Sequence, residues 1–435
     1  MNIFKRVDKV IFKRLIVISA IFLVGAAVGY GYFTRTQGQI SPIPEEKNTS
    51  KAFMGEIYDK IKDNYWDNIS DAQLLDLFKL SIEKNGGQIL VAKFDNKDKF
   101  LQSIEASIKG MNETQKNKFL SNVAGSVLAS LSPAGRSGLY TQTQEVALKN
   151  TVENINPEKD LYKDLGLAKG ASDSAVNDAY RKKAEELEKK NTAEAKEELK
   201  KIAYAKDTLT SRDTKQRYDQ KGIEPTIFTK QIGNILYFQF KKFSPTSLDE
   251  FQKAFEDYKE ANLSSLIFDL RGNVGGAIDA TAYFLGFFIG KNQYAFDFYH
   301  KGEYLPFKTP TDYLPSISKY KQIVVLVDNA TQSSAEMMAA SLKKYHVGVV
   351  LGVPTKGWGT VERVFQLDNQ ISDQEKYSMF LVHSITLRDD NQPIEGRGVE
   401  PDISIKDPDW EQNLFSYFRN LNLTSVVKRA INNPQ

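Results

Sequence analysis

Residues 328–362 read DNATQSSAEMMAASLKKYHVGVVLGVPTKGWGTVE, directly after a strand-like apolar run, Ile323 to Val327. The order is strand, polar turn, helix, strand and glycine-rich turn. Ser333 and Ser334 stand where the helix should begin. A helix N-terminus aims backbone N–H groups outward, which suits an oxyanion formed beside a serine. A second apolar run, Val347 to Leu351, leads into the turn that carries Lys356. A lysine brought close by the fold can take a serine's proton if burial lowers its pKa. Serine is equally a common helix cap, so the stretch admits an active centre or a plain capped helix.

The surroundings alternate in the same way. Ile235 to Phe240 reads as a strand, Leu248 to Glu260 as a helix and Ser265 to Leu270 as a strand. Arg271-Gly272-Asn273-Val274-Gly275-Gly276 then forms a glycine turn before a helix from Ala277 to Phe288. Such alternation predicts an α/β fold, a mixed sheet with helices packed on it. A ligand of such a sheet lies beyond the strand ends, where the glycine turns are. Upstream, residues 53–157 carry apolar residues at helical spacing, and residues 158–222 are rich in Lys, Glu and Ala. Residues 409–435 read as a helical tail closing a core over 227–408.

Composition narrows the function. The 435 residues carry a net charge of only +3, which favours no nucleic-acid partner. The chain has no cysteine, which excludes disulfides and thiolate chemistry. No His, Asp and Glu spacing suggests a metal site, and no cofactor is expected. Residues 15–33 are apolar and uncharged, nearly long enough to cross a bilayer. Lys5, Arg6, Lys9, Lys13 and Arg14 precede them. The positive-inside rule makes 1–14 a cytoplasmic basic tail, 15–33 a single membrane anchor and 34–52 a linker to an extracytoplasmic bulk. The alternative is a cleaved signal peptide; the long apolar run and its aromatic end favour the anchor.

Two resemblances follow. Tyr162, Leu165-Gly166-Leu167, Ala179-Tyr180-Arg181-Lys182 and Lys215 to Asp219 resemble a J domain, the DnaJ-type co-chaperone hairpin. Its His-Pro-Asp signature should fall at Glu188-Lys189-Lys190 and is absent. The resemblance therefore implies a helical spacer or a docking surface for a protein partner. Asp269 to Gly276, Thr331 to Glu336, Gly352 to Glu362 and Ile394 to Ile403 resemble four ordered motifs of the tail-specific, or C-terminal-processing, serine peptidases. That resemblance implies a ClpP/crotonase-like core, a protein or peptide substrate, and the J-like module in place of the family's usual PDZ domain.

By the same resemblance Ser333 is the nucleophile, and the amides of Gly275 (or Gly276) and Ser334 form the oxyanion hole. The general-base lysine would fall at Trp358, twenty-five positions after Ser333, and its orienting glutamine at Glu362. Tryptophan cannot accept a proton. Lys356 lies two residues earlier; in an extended strand it would face the same side, about 6.5–7 Å away. Three expectations stand. The first is a membrane-anchored serine endopeptidase with Ser333, Lys356 and Glu362 as its catalytic group. The second is an inactive peptide-binding or scaffold protein. The third, a co-chaperone, lacks its signature. Of the three histidines (His300, His346 and His383), His346 ends the Ser333 helix about 20 Å away, and His383, in a strand-like run, reads as structural, with a role as base the weaker alternative.

Overall fold

The computed structural model describes residues 49–190, 192–388 and 390–432. The expected tail 1–14, anchor 15–33 and most of the linker lie outside the described residues. Among the described residues no helix is long and apolar enough to cross a membrane.

Four helices come first: α1 (Thr49–Asn64), α2 (Asp71–Lys84), α3 (Lys97–Ile108) and α4 (Glu113–Ser130). The first begins inside the expected linker. Ser70 and Asn112 start α2 and α4 with reciprocal capping boxes. The helices share one core, built on Phe53, Phe78, Phe100 and Leu120, which also takes Met379 and Leu381 from a distant strand. Strand β1 (Gly138–Thr141) and helix α5 (Gln142–Val152) follow.

The charged segment forms α6 (Leu161–Asp164), α7 (Asp173–Lys190), α8 (Ala193–Thr210) and α9 (Arg212–Lys221). Its own small core centres on Tyr162, Val176, Ile202 and Leu209. Tyr162 donates its phenol to Asp219 at 2.9 Å, and Gly222 ends α9 in the left-handed conformation. An Ile155–Ile223 bridge brings the two ends of the module together, the geometry of a unit inserted into a host domain. Glu188-Lys189-Lys190 form the last turn of α7.

The remaining elements are β2 (Ile227–Ile232), β3 (Ile235–Phe240), α10 (Ser247–Asp257), β4 (Ser265–Asp269), α11 (Thr281–Ile289), β5 (Tyr294–His300) and β6 (Glu303–Lys308). Then come β7 (Gln322–Val327), α12 (Ser334–Lys344), β8 (Val349–Gly352), β9 (Thr360–Gln366), β10 (Tyr377–Thr386), β11 (Ile403–Ser404), α13 (Trp410–Phe418) and α14 (Leu421–Asn432). One sheet has the order β11-β8-β7-β4-β3-β2, parallel except for the β2–β3 hairpin. The other runs β1-β10-β5-β6, with β9 paired to β10.

Every residue of β3 and β4 is buried, as expected for strands covered on both faces. Phe238, Phe240, Phe251, Phe268 and Phe284 pack on one face beneath α10, α11 and α12. Leu414, Leu423 and Val427 of α13 and α14 cover the other. The parallel strands β4 and β7 end side by side, so the loops after them meet. One carries the glycine turn and the other carries Ser333.

Candidate active site

The turn after β7 is laced to the turn after β4. Asp328 Oδ1 accepts N–H bonds from Ala330 (3.0 Å), Thr331 (2.9 Å) and Gly272 (3.0 Å). Thr331 donates its hydroxyl to the Leu270 carbonyl at 2.9 Å, and Gln332 N–H bonds the Asn273 carbonyl at 2.9 Å. Ser333 is thereby held at φ 56, ψ −125, left-handed backbone that a residue with a Cβ seldom adopts. Such strain persists only where the surroundings over-determine it.

Glu336 supplies much of that determination. It is 0% exposed and accepts four hydrogen bonds. They come from Ser333 N–H (2.8 Å), Gly357 N–H (2.7 Å), Trp358 N–H (2.8 Å) and the Thr355 hydroxyl (2.5 Å). Burial pushes its carboxyl up from the usual range, and the donated bonds pull the other way. With four donors around it, the site is shaped for the carboxylate. The sequence held a signal for it, the Ser-x-x-Glu spacing of a helix start, but its reach to residues 355–358 is purely tertiary.

The glycine turn faces the serine. Asp269 pairs with Arg271 at 2.7 Å, beneath the Tyr237 phenol, and Arg271 also bonds the Ala430 carbonyl at 2.9 Å. A Cβ on Gly275 (φ 81) would lie 2.7 Å from the Ser333 Cβ, so only glycine fits. Gly275 N–H, however, bonds Asn273 Oδ1 at 2.8 Å. That corrects the expectation that it points at an oxyanion. Phe243 N–H bonds the Gly275 carbonyl at 2.9 Å and fixes the next peptide. That peptide's other end is Gly276 N–H. Ser334 donates its hydroxyl to the Gly276 carbonyl at 3.2 Å. Among the described residues no protein acceptor bonds Gly276 N–H or Ser334 N–H, which leaves both amides available on the two turns that meet at Ser333.

The base side differs from expectation. Residues 353–359 are not strand; β9 begins at Thr360, and Gly357 is left-handed at φ 79. The strand argument that put Lys356 and Trp358 on one side therefore fails. Lys356 is exposed, and among the described residues no hydrogen bond or ion pair engages its ammonium. Its backbone N–H bonds the Thr331 carbonyl at 2.9 Å. Glu362 does not orient it. Glu362 Oε1 accepts from the Trp358 indole at 3.3 Å and the Thr360 hydroxyl at 2.5 Å, and burial pushes its carboxyl up. The Arg136 guanidinium stacks on Trp358, 3.4 Å from its centroid, and pairs with Glu395 at 3.0 Å. Glu395 in turn accepts Gly359 N–H at 2.8 Å. No local pattern in the sequence marks Arg136. Among the described residues no group of His, Cys, Asp and Glu could hold a metal ion.

Ser333, held in left-handed backbone where the parallel strands β4 and β7 end, is the residue that the sequence reading gave as nucleophile. Residues 234–405 match the profile of Peptidase family S41, and residues 160–219 match the DnaJ domain. Over residues 234–405 the chain is thus similar to peptidase family S41, the tail-specific serine peptidases. A probable CtpA-like serine protease of Staphylococcus epidermidis is 26% identical over 209 residues, 47% of this chain and 41% of that protein. The carboxy-terminal processing protease CtpA of Bacillus subtilis is 25% identical over 202 residues, 46% of this chain and 41% of that protein. The chain thus spans about two fifths of the length of the curated relatives it matches. The solved photosystem II D1 C-terminal processing protease shares the fold, with TM-score 0.50 and 13% identity over 82% of this chain and 93% of that one.

Proposed function

We infer that the Ser333 cleft binds an extended polypeptide, seats one carbonyl between the Gly276 and Ser334 amides, and holds it with little or no hydrolysis. One observation carries this reading. Where the resemblance puts a lysine base and its orienter, Trp358 and Glu362 bond each other under the stacked Arg136 guanidinium. The indole N–H only donates, and arginine stays protonated. A positioned base supplies about 10²–10⁴ of rate, and no described group beside Ser333 supplies it.

A second reading keeps hydrolysis, with Ser333 as nucleophile and Lys356 as base. The strained serine favours it, as does the bond from Lys356 N–H to Thr331, two residues before the nucleophile. Either way, residues 15–33 anchor the chain and leave residues 49–432 extracytoplasmic. The apolar run with its basic N-terminal flank supports that arrangement.

Peptide capture and cleavage by the purified chain, its Ser333→Ala variant and its Lys356→Ala variant separate the readings. Binding without cleavage is expected from all three. Cleavage lost in both variants would establish the second reading instead. Protease treatment of intact cells, with tags at either end, checks the orientation; removal of the N-terminal tag alone would contradict it.

A further inference from the structure

An open cleft of about 1310 Å³ lies between the DnaJ-like module and the first strands of the six-stranded sheet. Tyr204 of α8 stands on one side. Phe228 and Lys230 of β2, with Lys241 and Lys242 just after β3, line the other. Phe228 pairs with Gln239 and Lys230 with Tyr237 across the hairpin. The alternation of a strand then puts Phe228, Lys230 and Lys241 on one face.

The charge in this cleft is unbalanced. Lys159 is paired with Glu224 at 2.8 Å, Lys200 with Glu197 at 2.9 Å and Lys201 with Asp164 at 2.9 Å. Among the described residues no ion pair reaches Lys230, Lys241 or Lys242. Lys241 is half-buried, with its ammonium 5.1 Å from the Tyr204 centroid and 5.0 Å from that of Phe228. Burial, then the neighbouring Lys159, holds that ammonium below the usual lysine range. Burial does the same to Lys242. Asp269, Glu224 and Asp207 pull the other way on Lys241 without pairing with it, so burial prevails, and an anionic ligand in direct contact would offset the penalty.

The shape selects the kind of anion. The cleft is larger than the 300–1,000 Å³ or so of an ordinary small-molecule pocket. Its β2 wall is the edge strand of the sheet, paired only with β3. A free edge offers unpaired backbone groups to an extended chain. The chain that carries Lys241 and Lys242 also runs on to the glycine turn. Phe243, two residues after Lys241, bonds the Gly275 carbonyl through its N–H (2.9 Å) and accepts Ala277 N–H (2.8 Å).

We propose that this cleft binds the carboxylates of an extended acidic polypeptide segment on Lys230, Lys241 and Lys242, with Tyr204 and Phe228 as its apolar walls. The site extends the polypeptide-binding reading but needs no chemistry at Ser333.

The test is anisotropy of a labelled glutamate-rich peptide with a free C-terminus, titrated with the Ser333→Ala chain so that no peptide is consumed. Lys241→Met and Lys242→Met should each weaken binding about tenfold, and added salt should weaken it further. The exposed, paired Lys200, changed to Ala, should leave it unaltered. Weakening on amidation of the peptide identifies the terminal carboxylate as the ligand, and weakening on Glu-to-Gln replacement identifies side-chain carboxylates. Equal binding of a peptide with both changes overturns the proposal. Lys241→Met should also keep or raise Tm, because it removes a partly desolvated cation that forms no ion pair. A lowered Tm with unchanged affinity would mark Lys241 as a structural partner of Tyr204 and overturn the assignment. Loss of cleavage at Ser333 with cleft binding intact would bear on the serine alone.

Discussion

The two sides of Ser333 are built from different material. On the donor side stand Gly276 and Ser334, which offer backbone N–H groups, and a glycine pressed against the serine. On the base side stand Trp358, Glu362 and Arg136, whose side chains bond and stack on one another. Backbone donors survive most substitutions, because every residue except proline has them. A general base is one side chain and disappears with one change. The same fold can therefore keep its oxyanion hole and lose its base, which is the combination the proposed reading assigns to this chain.

Glu336 joins the two sides, so it is the first place to break the comparison. Glu336→Ala leaves three backbone donors and a hydroxyl buried without their acceptor. It should cost about 3–5 kcal/mol in urea unfolding and abolish peptide capture. A loss under about 1 kcal/mol would show that the two sides stand independently. Gly275→Ala comes next. The added Cβ meets Ser333 Cβ at 2.7 Å in a left-handed position. A cost of about 2 kcal/mol with peptide binding lost is expected from calorimetry and anisotropy. An unperturbed variant would show that the two turns move apart freely.

On the base side, Arg136→Ala removes the stack on Trp358 and the ion pair to Glu395. About 1 kcal/mol is expected from thermal unfolding, with Arg136→Lys recovering only part. Full recovery by lysine would show that charge alone matters there. The smallest effect lies away from Ser333. His383 stacks on His300 at 4.3 Å, and burial, with Arg363, His300 and Lys301, lowers its pKa from 6.5 to about 4. A depressed imidazole pKa means the folded state prefers it neutral. Its contribution is present above pH 6.5 and is lost as pH falls toward about 4. His383→Gln should flatten the stability profile over that window; an unchanged slope would place the sensitivity in other groups.

Local pattern made much of the core legible. Ile235 to Phe240 coincides with β3, Ser265 to Leu270 with β4, and the Ser333 helix begins at Ser334. The glycine turn and the serine turn were each visible as short motifs. What was not visible depends on distant partners. β1 pairs with β10 more than two hundred residues later, and Arg136 finds Trp358 across a similar gap. Lys356 shows a different limit. Its placement assumed an extended strand, and the left-handed Gly357 breaks that alternation. Gly275 shows another, since the acceptor of its N–H is the side chain of Asn273 two residues before it.

The most direct measurement is single-turnover hydrolysis of a captured peptide by the double variant Trp358→Lys, Glu362→Gln, beside the original chain. On the proposed reading, in which the oxyanion side is intact and only the base is missing, the variant should cleave at least about a hundredfold faster than the original. The original should match Ser333→Ala. Cleavage by the original chain that is lost in Lys356→Ala, with no gain in the double variant, would contradict a site that lacks its base.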